Sequence, residues 1–271
     1  MYPNLFVTEM AITEEILTLS SKVLGRDVTC TLLVPSEYNK AEAINLLLLN
    51  DGQEIENLQV KLTLLNLYNA HKIKPVLVAA IHAGDERLQE YGTAGQPDYK
   101  KRGSKAGQYT QFIIQELLPF LKQNTGINAF ASTVFAGFSL GGLSAFDIAW
   151  NNADVFDKAG AFSGSFWWRS KGLDDGYHDG DRIMHHIISN TQAKPELKFW
   201  IQTGTADETA DRNNNGIIDS IDDAIDLIGE LELKGYTRPA DIQYLEVVGG
   251  KHDMPTWAQA MPKFLSWAFK A

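Results

Sequence analysis

Along the chain, short apolar runs alternate with longer stretches in which apolar residues recur at helical spacing. Residues 16–20 and 28–34 are short alternating or apolar runs on either side of Gly25-Arg26-Asp27, which predicts an antiparallel hairpin. Residues 43–49 read as a buried strand, 58–70 as a helix (Val60, Leu62, Leu64, Leu65, Leu67) and 75–81 as a second buried strand. A polar loop over 82–107 leads to an amphipathic helix over 109–121, whose stripe is Phe112, Ile113, Leu117, Leu118 and Leu121. Next come a strand through 132–136, a helix over 140–150 and a strand at 159–162. An excursion with a short helix runs to Lys194, and then follow a strand at 197–203, a helix at 218–233, a strand at 242–248 and a closing helix at 257–269.

This alternation predicts an α/β fold with a mostly parallel eight-stranded sheet and helices on both faces. In such sheets the loops that follow strands gather at one edge, and ligands bind there. No Pro/Gly/Ser-rich linker, composition break, repeat or low-complexity segment divides the chain, so residues 1–271 read as a single domain.

The candidate chemistry lies on those loops. Gly137-Phe138-Ser139-Leu140-Gly141-Gly142 follows a β-type segment and precedes a helical one, the setting of a serine nucleophile on a tight strand-to-helix turn. A bare G-x-S-x-G arises by chance in about one of ten chains of this length. Its weight therefore depends on whether a base, an acid and an oxyanion hole accompany it; alone, Ser139 reads equally as a helix cap. After the strand ending at Val248, Gly249-Gly250-Lys251-His252-Asp253 offers His252 as general base. After the strand ending at Thr203, Gly204-Thr205-Ala206-Asp207-Glu208 offers Asp207 as the carboxylate that orients it, with Glu208 and Asp211 as neighbours that spacing alone does not separate. After the strand ending at Leu49, Asn50-Asp51-Gly52-Gln53 offers the Gln53 amide as partner to the Leu140 amide in an oxyanion hole.

Composition narrows the classes. With 44% hydrophobic and 10% aromatic residues the chain can bury a large core. Cys30 is the sole cysteine, so neither an intrachain disulfide nor a cysteine metal cage can form, and its apolar surroundings predict a small buried hydrophobe. A formal net charge of −10 disfavours nucleic acid and anionic membrane as partners. Residues 1–10 lack the features of an export signal and no apolar run reaches membrane-span length, so a soluble protein, cytoplasmic as given, is expected.

On these residues the chain resembles the putative-esterase family of α/β hydrolases, which includes enterochelin esterases, S-formylglutathione hydrolases, feruloyl esterases and mycolyltransferases. The landmarks extend over nearly the whole chain: Leu24-Gly25-Arg26, Leu49-Asn50-Asp51-Gly52-Gln53, Phe112 through Pro119, the Ser139 turn, Ser163-Gly164-Ser165-Phe166-Trp167-Trp168, Gly204-Thr205-Ala206-Asp207, and the segment from Gly249 to Trp257. The resemblance implies an α/β-hydrolase fold with Ser139 as nucleophile, Asp207 as acid and His252 as base. Phe166-Trp167-Trp168 is similar to the enterochelin-esterase and feruloyl-esterase branches. The expected activity is hydrolysis of a carboxylic ester through an acyl-serine, with no organic cofactor and a small-molecule ester as partner. Acyl transfer to an alcohol would use the same residues, and a non-catalytic binding module of this fold is the alternative from another class.

Trp167 and Trp168 follow a strand at the active edge, so at least one is a candidate for lining the substrate pocket, as is Arg87 for meeting an anionic group. The run Lys100-Lys101-Arg102 with Lys105 could also meet an anionic substrate near the mouth, though the lysines read more simply as a solvated face. A second motif follows the acid loop. Asp211, Asn213, Asn215, Ile217 (through its carbonyl), Asp219 and Asp222 fall at positions one, three, five, seven, nine and twelve of a calcium loop, with Gly216 at position six. Its last ligand is Asp, as in dockerin-type loops. A structural calcium bracing the Asp207 loop is expected, against the simpler reading of a polar, Asn-rich helix cap.

Overall fold

Apolar runs without alternation lie at the centre of the sheet, and the alternating ones lie at its rims. The structure is a computed structural model and describes residues 10–36, 38 and 43–271. Eight strands, β1 (Ile12–Ser21), β2 (Arg26–Pro35), β3 (Ile44–Asn50), β4 (Val76–Ile81), β5 (Phe130–Phe138), β6 (Lys158–Phe162), β7 (Lys198–Ala206) and β8 (Ile242–Lys251), form one sheet in the order β1-β2-β4-β3-β5-β6-β7-β8. β1 pairs antiparallel with β2 and β2 with β4; every other neighbour is parallel. All of β3 and β4 is buried, as strands covered on both faces must be.

The helices are α1 (Val60–Asn69), α2 (Arg87–Glu90), α3 (Ala106–Gln111), α4 (Leu118–Thr125), α5 (Leu140–Asn151), α6 (Ile183–Asn190), α7 (Asp219–Leu233) and α8 (Met254–Phe269). α1 and α8 pack their apolar stripes on one face, and α3 to α7 cover the other. Burying each of Leu46, Leu47, Leu48 and Leu49 between these layers stabilises the fold by roughly 1.5–3 kcal/mol. Cys30 is buried in β2, and burial pushes its thiol up to about 12.

Two stretches differ from the sequence expectation. The loop predicted over 82–107 contains α2, too short to show a period, and it ends where α3 begins. The helix predicted over 109–121 extends from Ala106 to Thr125, with a π-helical turn at Phe112–Leu117 just before Pro119, which has no N–H for the preceding turn. That turn presents Glu116 to the β1–β2 connection, where it accepts from the Lys22 N–H (2.9 Å), the Val23 N–H (3.3 Å) and the Ser21 hydroxyl.

Candidate active site

The turn between β5 and α5 is strained and tightly enclosed. Ser139 has φ 54° and ψ −124°, a conformation that L residues adopt only when their surroundings impose it. Its N–H donates to the Phe162 carbonyl at the end of β6 (2.9 Å), and its carbonyl accepts from Gly142 N–H (3.0 Å) and Ser165 N–H (3.1 Å). A Cβ on Gly137 would stand 2.4 Å from the Gly141 carbonyl oxygen, so the turn itself requires that glycine. Gly141 is needed for a different reason. A Cβ there would meet Asp51 Oδ2 at 2.8 Å and Asn50 Cβ at 3.1 Å, so this glycine admits the loop that follows β3.

Asp207 and His252 are brought to one edge by the β7–β8 pairing, which resumes at Ala206–Lys251 after a register irregularity beyond Gly204–Val247. Ala206 pairs with Lys251 at the carboxyl ends of β7 and β8, and Asp207 and His252 are the next residues of the two chains. Close approach depends on Gly204, where a Cβ would lie 2.3 Å from the Gly250 carbonyl oxygen and 2.7 Å from Asp207 Oδ1. One Asp207 oxygen accepts the Gly204 N–H at 3.1 Å, and the other is buried without a partner. Burial raises the Asp207 pKa, opposed by the Gly204 amide, the Ser163 hydroxyl and the charge interaction with His252. The imidazole of His252 is held below its ordinary value, chiefly by desolvation; Asp207 and Asp253 raise it and Arg87 lowers it. Glu208, the competing acid, has its pKa raised by burial and by the charges of Asp219, Asp223 and Asp207, opposed by the Ser220 backbone.

Residues that spacing did not single out complete the support. Asp253 caps α8 by accepting Thr256 N–H at 3.0 Å. This places Trp257 with its ring edge-on to His252, 5.2 Å between centroids, and its indole N–H on the Ser163 hydroxyl at 2.9 Å. Ser163, itself at φ 45°, donates its N–H to the Gln202 carbonyl at 2.8 Å. Ser163 thus joins the His252 side of the edge to the loop that touches Ser139 through Ser165.

Opposite them lies the loop after β3. Asp51 is buried at φ 60° and is gripped by both arms of Arg87, Nε to Oδ1 at 2.6 Å and Nη2 to Oδ2 at 2.8 Å. The Arg87 guanidinium lies over the Tyr91 ring at 4.9 Å. Gln53 follows Gly52, whose Cβ would meet the Ala80 carbonyl at 2.4 Å, and the Gln53 side chain accepts Ala83 N–H at 3.0 Å. Among the described residues no protein acceptor takes the N–H of Gln53 or of Leu140. Two orphan amides therefore stand on the loops flanking Ser139.

Of the two candidate tryptophans, Trp168 is fully buried, wedged where a Cβ on either Gly92 or Gly103 would come within 2.9 Å, and it braces the loop before α3. Trp167 is half-buried, and the Arg102 guanidinium covers both indoles at 5.1 and 5.2 Å. Arg102 also pairs with buried Asp98, whereas Lys100 and Lys101 are exposed. In the loop after Asp207, Gly216 turns at φ 85° and Asp211 accepts the N–H groups of Asn215 (3.1 Å) and Gly216 (2.9 Å). Asn213 and Asn215 both donate side-chain N–H to Asp222 Oδ2, at 2.9 and 2.8 Å, but Asp219 turns away to the Arg212 amide. No group of three or more His, Cys, Asp or Glu suited to a metal occurs among the described residues, so the loop's donor set depends on its amides.

A family model described as putative esterase matches residues 21–268, and the chain belongs to that family. No curated protein sequence matches it at a significant level. Among solved structures, the enterobactin esterase of Shigella flexneri determined in the presence of enterobactin superposes with a TM-score of 0.72 at 20% identity, covering 95% of this chain and 58% of that one. The chain thus spans less than two thirds of that protein. A ferulic acid esterase gives 0.71 at 18% identity (96% and 98% covered), and a siderophore hydrolase from Aspergillus nidulans 0.71 at 17% (95% and 94%). These likenesses establish the α/β-hydrolase fold.

Proposed function

We propose that this chain is a serine esterase that cleaves small-molecule carboxylic esters through an acyl-serine. The observation that supports the reading is the Ala206–Lys251 pairing, one residue before Asp207 and His252, at the sheet edge where Ser139 sits on a strained turn. The Ser139 hydroxyl attacks the ester carbonyl while His252 takes its proton, and Asp207 stabilises the imidazolium. The N–H groups of Leu140 and Gln53 receive the oxyanion. His252 returns the proton to the departing alcohol, and water then releases the acid by the same steps in reverse order. Arg87 and Trp167 are assigned to substrate binding, Arg87 because it is held by Asp51 on the loop that packs against Gly141, two residues after Ser139.

A fluorophosphonate probe tests the centre. Wild-type protein takes up one label and Ser139→Ala none, and kcat for a p-nitrophenyl ester falls by more than about 10⁴-fold in the variant. An unlabelled wild type overturns the reading. Rates on p-nitrophenyl, feruloyl and siderophore-type esters then rank substrates, the last two chosen from the names of the structural neighbours.

The loop over 211–222 is assigned to a structural calcium held by Asp211, Asn213, Asn215, the Ile217 carbonyl and Asp222, with Asp219 contributing at most through water. Calcium there would stiffen the segment after Asp207 without entering the reaction. Removing it with EDTA lowers Tm, and Asp211→Ala abolishes that response; a Tm indifferent to both EDTA and added calcium rejects the assignment.

A further inference from the structure

The two proposed oxyanion donors ride on loops from different strands, and the sheet stops short of joining them. The β3–β5 ladder ends at Leu49 opposite Ala136, before either loop begins. Side chains take over from there. Asn50 is fully buried and donates its amide N–H to the Gly141 carbonyl at 2.8 Å, one residue beyond Leu140 and three residues before Gln53 along its own loop. The carbonyl end of the same amide accepts the Tyr109 hydroxyl at 2.7 Å. Because the Gly141 carbonyl can only accept, the Asn50 amide turns its N–H groups to α5 and its oxygen to the Tyr109 hydroxyl, which holds the side chain in that orientation. Tyr109 packs on Tyr91 at 5.2 Å between ring centroids, and the Tyr91 oxygen accepts the Asp51 N–H at 3.3 Å. Both tyrosines are buried, so water does not compete for these bonds.

Resting on the serine-esterase reading above, we infer that Asn50, oriented by Tyr109, is a positioning residue: it clamps the loop after β3 to the first turn of α5 and sets the separation of the Gln53 and Leu140 amides. Gly141 makes the clamp feasible, since a Cβ there would occupy the space of Asp51 and Asn50. The clamp touches neither substrate nor Ser139. Its effect appears where the oxyanion forms, because a donor displaced by about 1 Å forfeits up to about 10²-fold in rate.

The test uses Asn50→Asp, which keeps shape but turns a carboxylate oxygen towards the Gly141 carbonyl, and Tyr109→Phe, which removes only the orienting hydroxyl. Fluorophosphonate titration run to completion gives the concentration of active sites, so that kcat is expressed per competent molecule. Asn50→Asp lowers this kcat by about 10- to 100-fold and Tyr109→Phe by about 3- to 10-fold, with KM within about threefold of wild type. Affinity for a boronic acid, which forms a tetrahedral anion on the serine, falls in step with kcat. A purely structural role would lower Tm and the titrated fraction while leaving kcat per site alone. If both variants keep kcat per site and boronate affinity within about twofold of wild type, the clamp is rejected. Should Asn50→Asp fail to fold, Tyr109→Phe decides by the same criteria. A wild type that neither labels nor turns over ester overturns the esterase reading and this inference with it, whereas an active wild type beside unaffected variants overturns only the clamp.

Discussion

At Gly52 and Gly137 a single methyl group would meet backbone and not a side chain that could swing aside, at 2.4 Å from the Ala80 and Gly141 carbonyl oxygens respectively. Gly52→Ala and Gly137→Ala therefore each move a loop that bears proposed catalytic groups, with a stability loss of about 1–3 kcal/mol in urea unfolding and a fall in kcat. The titration of His252 gives a second outcome at this scale. Only the neutral imidazole can accept the Ser139 proton, and its pKa lies below the ordinary 6.5. The acid limb of kcat/KM is then centred below pH 6.5. Since Arg87 contributes to that depression, Arg87→Gln moves the limb upward; an unshifted limb would separate Arg87 from the site. His185 acts on stability instead. It is buried under the Asp223 carbonyl, and burial lowers its pKa to about 3, so the folded chain favours the neutral ring. Its stabilisation is complete above pH 6.5 and is lost as pH falls from 6.5 towards 3, at about 1.4 kcal/mol per unit. His185→Gln flattens that loss between pH 7 and 5 in urea unfolding.

Between elements, the long excursion that follows β6 is tied down by charge. Asp223 of α7 is buried and accepts Arg182 just before α6 (2.7 Å) and Arg212 from the loop at 211–222 (2.5 Å). Removing it strands two guanidinium groups, so Asp223→Ala costs about 3–5 kcal/mol, seen as a lowered Tm. The strands, the Ser139 turn and the loops carrying Asp207 and His252 were legible in the sequence because their signals are local: an apolar run, a glycine pair, a polar residue just past a strand. Asn50, Tyr91, Tyr109, Ser163 and Trp257 were not, because their roles arise from contacts such as Tyr109 with Asn50 and Trp257 with Ser163, far apart along the chain. The packing of Trp168 was hidden for the same reason, since Gly92 and Gly103, which make room for it, are distant in sequence.

For the whole molecule, one sheet organises everything proposed. The carboxyl edge carries Ser139, Asp207, His252 and the loop after β3, and among the described residues no helix is long and apolar enough to cross a membrane. The segment around Pro239, exposed and leading into the amino end of β8, lies at the opposite edge. A short Gly-Ser spacer inserted after Pro239 should leave kcat within about twofold of the parent, whereas shifting the β7–β8 register by one residue should abolish turnover.

That contrast gives the Ala206–Lys251 pairing a consequence for descent as well as for catalysis. A distance fixed by a ladder is indifferent to the length of chain looping between its rungs. The exposed connection from α7 to Ile242 can therefore change in length without altering how the acid and base loops meet.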